Sequence, residues 1–243
     1  MSEKQTVISV ANMYKRFGNF VANENLSFEV YKGEIFGFLG ANGAGKTTAI
    51  KVFCGLLAPS TGRVQVAGFD VYTQTEEIKR NIGYMSQKFS LYEDLTVAEN
   101  FRFYAGIYRV SRSEIASRMQ QSLENVGLSG QQNHLISSLP LGWKQKLAFA
   151  VATFHQPAIV FLDEPTSGVD PIARRNFWEL IQKTSEEGTT VFVTTHYLDE
   201  AEYCHRISIM DNGRIMALDT PKALKKKYEV DNIFDLFLNI VRQ

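Results

Sequence analysis

Apolar residues along this chain follow two different repeats, and the changes between them divide it. From Val7 to Val30 the pattern is that of antiparallel strands. In Leu26-Ser27-Phe28-Glu29-Val30 apolar and polar residues alternate strictly, the period of a strand with one buried face. Ile35-Phe36-Gly37-Phe38-Leu39 and Ala158-Ile159-Val160-Phe161-Leu162 are apolar almost throughout, as befits parallel strands covered on both faces. Further strands are read at Val191–Thr194 and Ile207–Met210, the latter followed by the hairpin signal Asp211-Asn212-Gly213-Arg214. Between Ser90 and Ala152 the strand pattern gives way to helices. Thr96-Val97-Ala98-Glu99 and Ser111-Arg112-Ser113-Glu114 predict capping boxes there, and Phe101, Tyr104, Ala105 and Tyr108 recur on one helical face. Asp170-Pro171 predicts an N-cap with proline in the first helical position. Pro221 opens a short helix ending in Lys225-Lys226-Lys227, read as a solvated face. Ile233, Phe234, Phe237, Leu238 and Val241 predict an apolar stripe on a last helix from near Asp231, packed on the chain's own core.

One junction between strand and helix carries chemistry. Gly40-Ala41-Asn42-Gly43-Ala44-Gly45-Lys46-Thr47 fits G-x-x-x-x-G-K-[ST], and Thr48 continues it into a helix. Glycines let the backbone approach an anion closely, and the amides at the helix start converge on phosphate. Lys46 is then placed for the β- and γ-phosphates and the Thr47 hydroxyl for Mg²⁺. The strand read at Ala158–Leu162 ends in Asp163-Glu164. In doubly wound α/β folds ligands sit at the carboxyl ends of such strands. Asp163 is there to bind Mg²⁺, directly or through water, and Glu164 to polarise the water that attacks the γ-phosphate. His196 follows the Val191–Thr195 strand and reaches the same edge, while His134, His155 and His205 are read as structural.

Composition narrows the class. The 243 residues hold 26 Lys and Arg against 26 Asp and Glu. A net charge of +0 argues against a general nucleic-acid binder, which carries a basic excess. No apolar stretch approaches the roughly 18 residues of a bilayer span. Met1-Ser2-Glu3-Lys4-Gln5 lacks the charge-then-apolar layout of a signal peptide. Two cysteines, Cys54 and Cys204, are too few for a disulfide framework or a four-thiolate zinc site and are read as small core residues.

Together these motifs resemble the nucleotide-binding subunit of an ATP-binding-cassette (ABC) transporter, over nearly the whole chain and in the family's order. Phe17, in Lys15-Arg16-Phe17-Gly18, is similar to the aromatic that stacks on adenine. Gln87, in Tyr84-Met85-Ser86-Gln87, resembles the glutamine that senses Mg²⁺ and the membrane partner. Leu139-Pro140-Leu141-Gly142-Trp143 falls where the family signature L-S-G-G-Q belongs, with proline and leucine in place of the usual serine and first glycine. Ser167-Gly168-Val169-Asp170 resembles the loop that crosses the dimer interface, and His196 the switch histidine that contacts the γ-phosphate.

The resemblance implies an α/β P-loop NTPase core with an antiparallel β subdomain and an inserted helical subdomain. The expected division is 1–88 and 153–220 for the core, 89–152 for the helical insert and 221–243 for a helical tail. It further implies ATP and Mg²⁺ at the site and a head-to-tail homodimer whose signature segments complete each other's γ-phosphate site. Transmembrane permease subunits would dock beside Gln87 and Phe89-Ser90-Leu91-Tyr92, at the cytoplasmic face of the membrane. The wording around Leu139–Trp143 resembles the exporter branch of multidrug, antibiotic and lipid transporters. Two other readings stand beside it: a soluble ABC ATPase driving a remodelling process, and a non-hydrolysing ATP-gated clamp, against which Glu164 and His196 speak.

Overall fold

The two hydrophobic repeats separate into two sheets in the computed structural model, which describes residues 5–88 and 90–241. The expectations that touch Phe89 and residues 1–4 lie outside the described residues. The alternating segments form a four-stranded antiparallel sheet in the order β2-β1-β4-β5, from β1 (Thr6–Phe17), β2 (Phe20–Tyr31), β4 (Thr61–Val66) and β5 (Phe69–Asp70). The apolar runs form a six-stranded sheet from β3 (Ile35–Gly40), β6 (Ile82–Met85), β7 (Ile159–Asp163), β8 (Thr190–Thr195), β9 (Arg206–Asp211) and β10 (Arg214–Asp219). Its order is β10-β9-β3-β8-β7-β6, parallel except for the edge strand β10. Every residue of β3, β7 and β8 is buried, as their unbroken apolar sequences require. Asn212 and Gly213 turn β9 into β10 with φ of 44° and 78°, both left-handed, which is why this turn selects Asn-Gly.

Phenylalanines bind the two sheets together. Phe28 of β2 stacks on Phe36 of β3 at 5.4 Å, and Phe38 lies 5.2 Å from Phe192 of β8. Phe53, at the end of helix α1 (Lys46–Phe53), meets Phe28, Phe161 and Phe192. Each such ring contributes about 1.5–3 kcal/mol by leaving water, which fastens the two sheets and α1 to one another. That block fixes where the loop between β3 and α1 can go.

Between α2 (Thr75–Asn81) with β6 and the return strand β7 lie α3 (Val97–Ile107), α4 (Ile115–Asn125) and α5 (Leu141–Thr153). Thr96 and Glu99 form the expected capping box on α3, each side chain on the other's backbone N–H. Ser111 does not cap a helix. Its hydroxyl meets Ser113 at 2.9 Å, residues 111–114 close a turn, and α4 starts one residue later behind Glu114. The second Ser/Thr-x-x-Glu match fails because its serine bonds a neighbouring side chain instead of the backbone.

Phe101 and Ala105 are buried on α3, with Tyr104 packed beside them. Leu91, expected at the partner surface, is buried in the same core, while its neighbour Tyr92 is exposed. Helix α6 (Pro171–Glu186) starts as expected, with Asp170 accepting from the amides of Ile172 and Ala173. Helix α7 (Pro221–Lys227) ends in the lysine run, but Lys225 is not a free cation: it pairs with Glu202 at 2.6 Å. Helix α8 (Ile233–Val241) buries Ile233, Leu236 and Ile240. The expected stripe mixes two faces, since Phe234 and Val241 point to solvent. Among the described residues no helix is long and apolar enough to cross a membrane.

Candidate functional site

The candidate residues gather at the carboxyl ends of β3, β6, β7 and β8, where the chain enters the sheet at β3 and adds strands on both sides of it. The loop Gly40–Gly45 leaves β3 and turns into α1. Gly43 and Gly45 take φ of 83° and 100°. A Cβ at Gly45 would stand 2.3 Å from the Ala22 carbonyl oxygen of β2, so glycine is required there both for conformation and for space. The β9–β10 hairpin braces the loop, the Gly213 N–H donating to the Ala44 carbonyl at 3.1 Å. Asn23 donates to the Gly45 carbonyl from the other side. No side chain caps α1 and its first turn carries no acid, so its leading amides and Thr48 face an open cleft of about 330 Å³.

Lys46 is 4% exposed, and its Nζ donates to the Gly40 and Ala41 carbonyls at 2.7 and 3.1 Å. It also lies 3.3 Å from Glu164 Oε1. Burial lowers its pKa against the pull of the Glu164 carboxylate.

Asp163 ends β7, buried. Its Oδ1 accepts from the Thr194 hydroxyl at 2.7 Å and the Thr47 hydroxyl at 3.2 Å, while Oδ2 is buried with no partner. Burial raises its pKa, opposed by those two hydroxyls. A hydroxyl, a carboxylate and an unsatisfied carboxylate oxygen form a hard-oxygen donor set that fits Mg²⁺. Among the described residues no cluster of His, Cys, Asp and Glu could hold a metal alone. That suits an ion which keeps waters and shares phosphate oxygens.

Glu164 is where the elements converge. Its backbone is left-handed, φ 51°, a strained state for a glutamate, and its N–H is held by the Thr194 carbonyl and hydroxyl. Oε2 accepts from Gln87 Nε2 at 3.0 Å and lies 2.9 Å from His196 Nδ1. Sequence segments from residues 46, 87, 164 and 196 thus share one carboxylate.

Phe17 behaves differently. It is 49% exposed, with Lys15 Nζ 4.9 Å over its ring, and it does not line the phosphate cleft. Phe20 does line it, with Ala22 beside it, and is 65% exposed. The two phenylalanines face each other across the β1–β2 turn, so their side chains share one face of the ribbon. Phe20 escaped the sequence reading, although two residues between two aromatics at a hairpin signal such a facing pair. Asn23, Thr194 and Gly213 also escaped, since only the tertiary structure brings them to the loop.

The signature segment stands apart from this cleft. Leu139 is buried and Pro140 precedes α5 as its N-cap, with no side-chain cap. Leu141 and Trp143 are exposed, 48% and 39%, with Gly142 between them. Gln145 of α5 donates to the Ser167 carbonyl at 3.1 Å, which ties the segment to the Ser167–Asp170 loop, and Leu141 packs beside Gly168. None of Leu139–Trp143 lines the phosphate cleft of its own chain.

A glycine cradle on a helix start, a buried lysine in it and an acidic pair at the end of β7, one strand removed from β3 across β8, define a P-loop nucleotide-binding domain. The sequence profile for ABC transporters matches residues 23–167. The chain belongs to the ABC transporter family. It is 48% identical to the "Probable multidrug ABC transporter ATP-binding protein YbhF" of Escherichia coli over 224 residues, covering 91% of this chain and 38% of that protein. It is 34% identical to the "Linearmycin resistance ATP-binding protein LnrL" of Bacillus subtilis, covering 98% of this chain and 76% of that protein. Among solved structures, an ATP-binding subunit of an ABC transporter superposes with a TM-score of 0.88 at 28% identity, covering 97% of this chain and all of that one. The dimeric ATP-binding cassette MJ0796 bound to ADP and Pi superposes with a TM-score of 0.79 at 27% identity, covering 88% and 98%. The fold is therefore that of an ABC ATPase cassette.

Proposed function

We propose that this chain hydrolyses ATP and so powers export through membrane permease subunits at whose cytoplasmic face it sits. The observation that carries this reading is Glu164, strained in its backbone and held by Lys46, Gln87 and His196 beside an anion cradle. Lys46 and the amides of residues 43–48 bind the phosphates, and Phe17 stacks on adenine. Thr47, Asp163 and Gln87 would hold Mg²⁺, which would supply positive charge against that of the phosphates. A γ-phosphate competes with Glu164 for Lys46 and His196. Their withdrawal leaves the carboxylate free to take a proton from the attacking water.

A second copy completes the site. The segment Leu139–Trp143, exposed at Pro140, Leu141 and Trp143, and the Ser167–Asp170 loop are joined in this chain yet absent from its own cleft, an arrangement that fits a head-to-tail homodimer. The dimeric cassette that superposes on this chain supports the same assembly. Coupling runs from Gln87 into residues 90–92, which are fastened to α3. The Tyr92 backbone exchanges two hydrogen bonds with Asn100, and the Tyr104 hydroxyl donates to the Ser90 carbonyl. A groove of about 270 Å³ between α2, β6 and the end of α3 has Leu56, Ile82, Ile107 and Tyr108 on its apolar part and Glu76, Lys79, Arg80 and Arg109 on its charged part. Leu56 and Ile107 are 49% and 55% exposed, and we assign the permease to this groove and to Tyr92. Export, rather than import, follows the multidrug relative of Escherichia coli and the resistance protein of Bacillus subtilis.

Glu164→Gln tests the reading. It is expected to keep ATP affinity, to lower turnover by about 10²-fold or more, and to accumulate an ATP-bound dimer on gel filtration with Mg²⁺. Normal turnover, or a monomer under every condition, would overturn it.

A further inference from the structure

Glu200 is the buried acid for which the proposed chemistry has no use. It sits in the short 3-10 turn Leu198–Tyr203, just beyond β8, and is 0% exposed. Its Oε1 accepts from the buried Thr166 hydroxyl at 2.6 Å, so it grips the segment that leads into the Ser167–Asp170 loop. Its Oε2 has no partner. An ionised carboxylate in such a place needs a cation, and Arg174 stands in the first turn of α6 with Nε 3.8 Å from Oε1. The pair is open, outside hydrogen-bond distance, and Arg174 Nε is itself buried without a partner.

Asp199 Oδ2 stands as far from Arg174 Nη1, 3.8 Å, and a ring covers the face of the guanidinium. Arg174 Cζ lies 3.7 Å over the centre of Tyr197. The other neighbour of that ring is His196, whose imidazole centre is 4.2 Å away, and His196 Nδ1 meets Glu164 at 2.9 Å. At the opposite end, Arg174 belongs rigidly to the loop. Its N–H donates to the Asp170 carbonyl, and Asp170 caps the next two amides of the same turn. A chain of contacts therefore runs from the Ser167–Asp170 loop through Arg174, stacked on Tyr197, to the adjacent His196, whose ring is tilted by 36° against that tyrosine.

We propose that Arg174 is a positioning residue that transmits the position of the Ser167–Asp170 loop to His196 through Tyr197, with Glu200 and Asp199 steadying its charged edge. The guanidinium stacks on Tyr197 while its edge stays 3.8 Å from both Glu200 Oε1 and Asp199 Oδ2, so ring and carboxylates together fix its plane. A second copy that presses on the loop moves α6's first turn, and Arg174 with it, against Tyr197. An engaged loop holds Tyr197 against His196 while the γ-phosphate draws that histidine from Glu164, which makes the rate of hydrolysis depend on the dimer. Arg174 and Tyr197 line no part of the phosphate cleft, so the effect is on turnover and not on nucleotide affinity. This inference rests on the ATPase reading above.

The experiment uses the full chain, with steady-state ATPase across an ATP range and ATP titration of each variant placed in the Glu164→Gln background. Arg174→Ala and Tyr197→Leu should each lower kcat by roughly tenfold or more with KM and ATP affinity within about twofold, because misplacing a reacting group costs turnover. The double variant should be no worse than either alone, as expected of residues acting in series. Tyr197→Phe keeps the ring and should restore kcat, whereas Arg174→Lys keeps the charge without the plane and should not. Additive losses, a rise in KM that accounts for the defect, failure of Tyr197→Phe to restore kcat, or full recovery with Arg174→Lys would each overturn the proposal. Should Arg174→Ala fail to fold, the half-exposed Tyr197 pair decides alone. An unaltered chain without ATPase activity sinks both readings; an active one with full kcat in Tyr197→Leu sinks this one only.

Discussion

In the proposed site Glu164, Lys46 and the two facing phenylalanines serve different parts of a nucleotide, so single substitutions separate them. Lys46→Ala removes a buried cation from the phosphates and leaves Glu164 with one donor fewer. ATP affinity and rate should fall together, by about tenfold or more, since a charge-assisted contact of roughly 1.5–3 kcal/mol is lost. Isothermal titration beside an ATPase assay checks this, and unchanged values would remove Lys46 from the site. Phe17→Ala and Phe20→Ala should raise KM for ATP several-fold at nearly constant kcat, because stacking on the base is the same in ground and transition states. A fall in kcat at constant KM would contradict the role. The loop glycines, Lys46 and Thr47 were legible in the sequence because a local spacing encodes them. Phe20 was not, because its role depends on which face of a hairpin looks at the cleft.

At the scale of elements, helix α5 carries an unusual start. Pro140 gives its N-cap neither a hydroxyl nor an N–H, and nothing else caps the helix. Pro140→Ser together with Leu141→Gly should raise ATPase at saturating ATP by roughly tenfold, since one preorganised donor to phosphate commonly contributes that much or more. A properly folded double variant with an unchanged rate means that the backbone amides suffice. His155 marks another joint. It follows α5, stacks on Tyr108 beyond α3 with ring centres 3.6 Å apart, and its Nε2 meets the Ile82 carbonyl of β6 at 3.0 Å. Burial pushes its pKa down to about 4 from 6.5, with the Arg118 charge adding to the effect and the Ile82 bond opposing it. The unfolded chain then binds the proton more readily. Stability is full above pH 6.5 and is lost as pH falls towards 4, by at most about 3 kcal/mol. His155→Phe, which keeps the stack, should flatten that part of the pH dependence in urea unfolding. Identical slopes for the two proteins would exclude His155 as the cause.

The whole molecule joins the two-sheet block to the inserted helices α3–α5, and the groove proposed for the permease exposes Leu56 and Ile107. Neither residue lines the phosphate cleft. Leu56→Asp with Ile107→Asp should leave the ATPase of the isolated chain within about twofold and abolish its assembly with the permease, because charges in an apolar interface must be desolvated. Co-purification and efflux measure the second half, and assembly that survives both charges would move the docking site elsewhere.

By itself the sequence determined the strands, their burial and the phosphate loop. Each is written in a repeat or a spacing of a few residues, and strands covered on both faces have to be apolar throughout. It placed Asp163, Glu164 and His196 at strand ends for the same reason. Only the tertiary structure decided that Lys46, Gln87 and His196 converge on one carboxylate, because those contacts join segments 32 to 118 residues apart. The structure also separated the two faces of α8, sent Leu91 into the core and denied Ser111 a helix to cap. In each case a choice among neighbours in space overrode a pattern in the chain. Local periodicity states that a residue is apolar or can cap, while packing selects which surface or amide it finds.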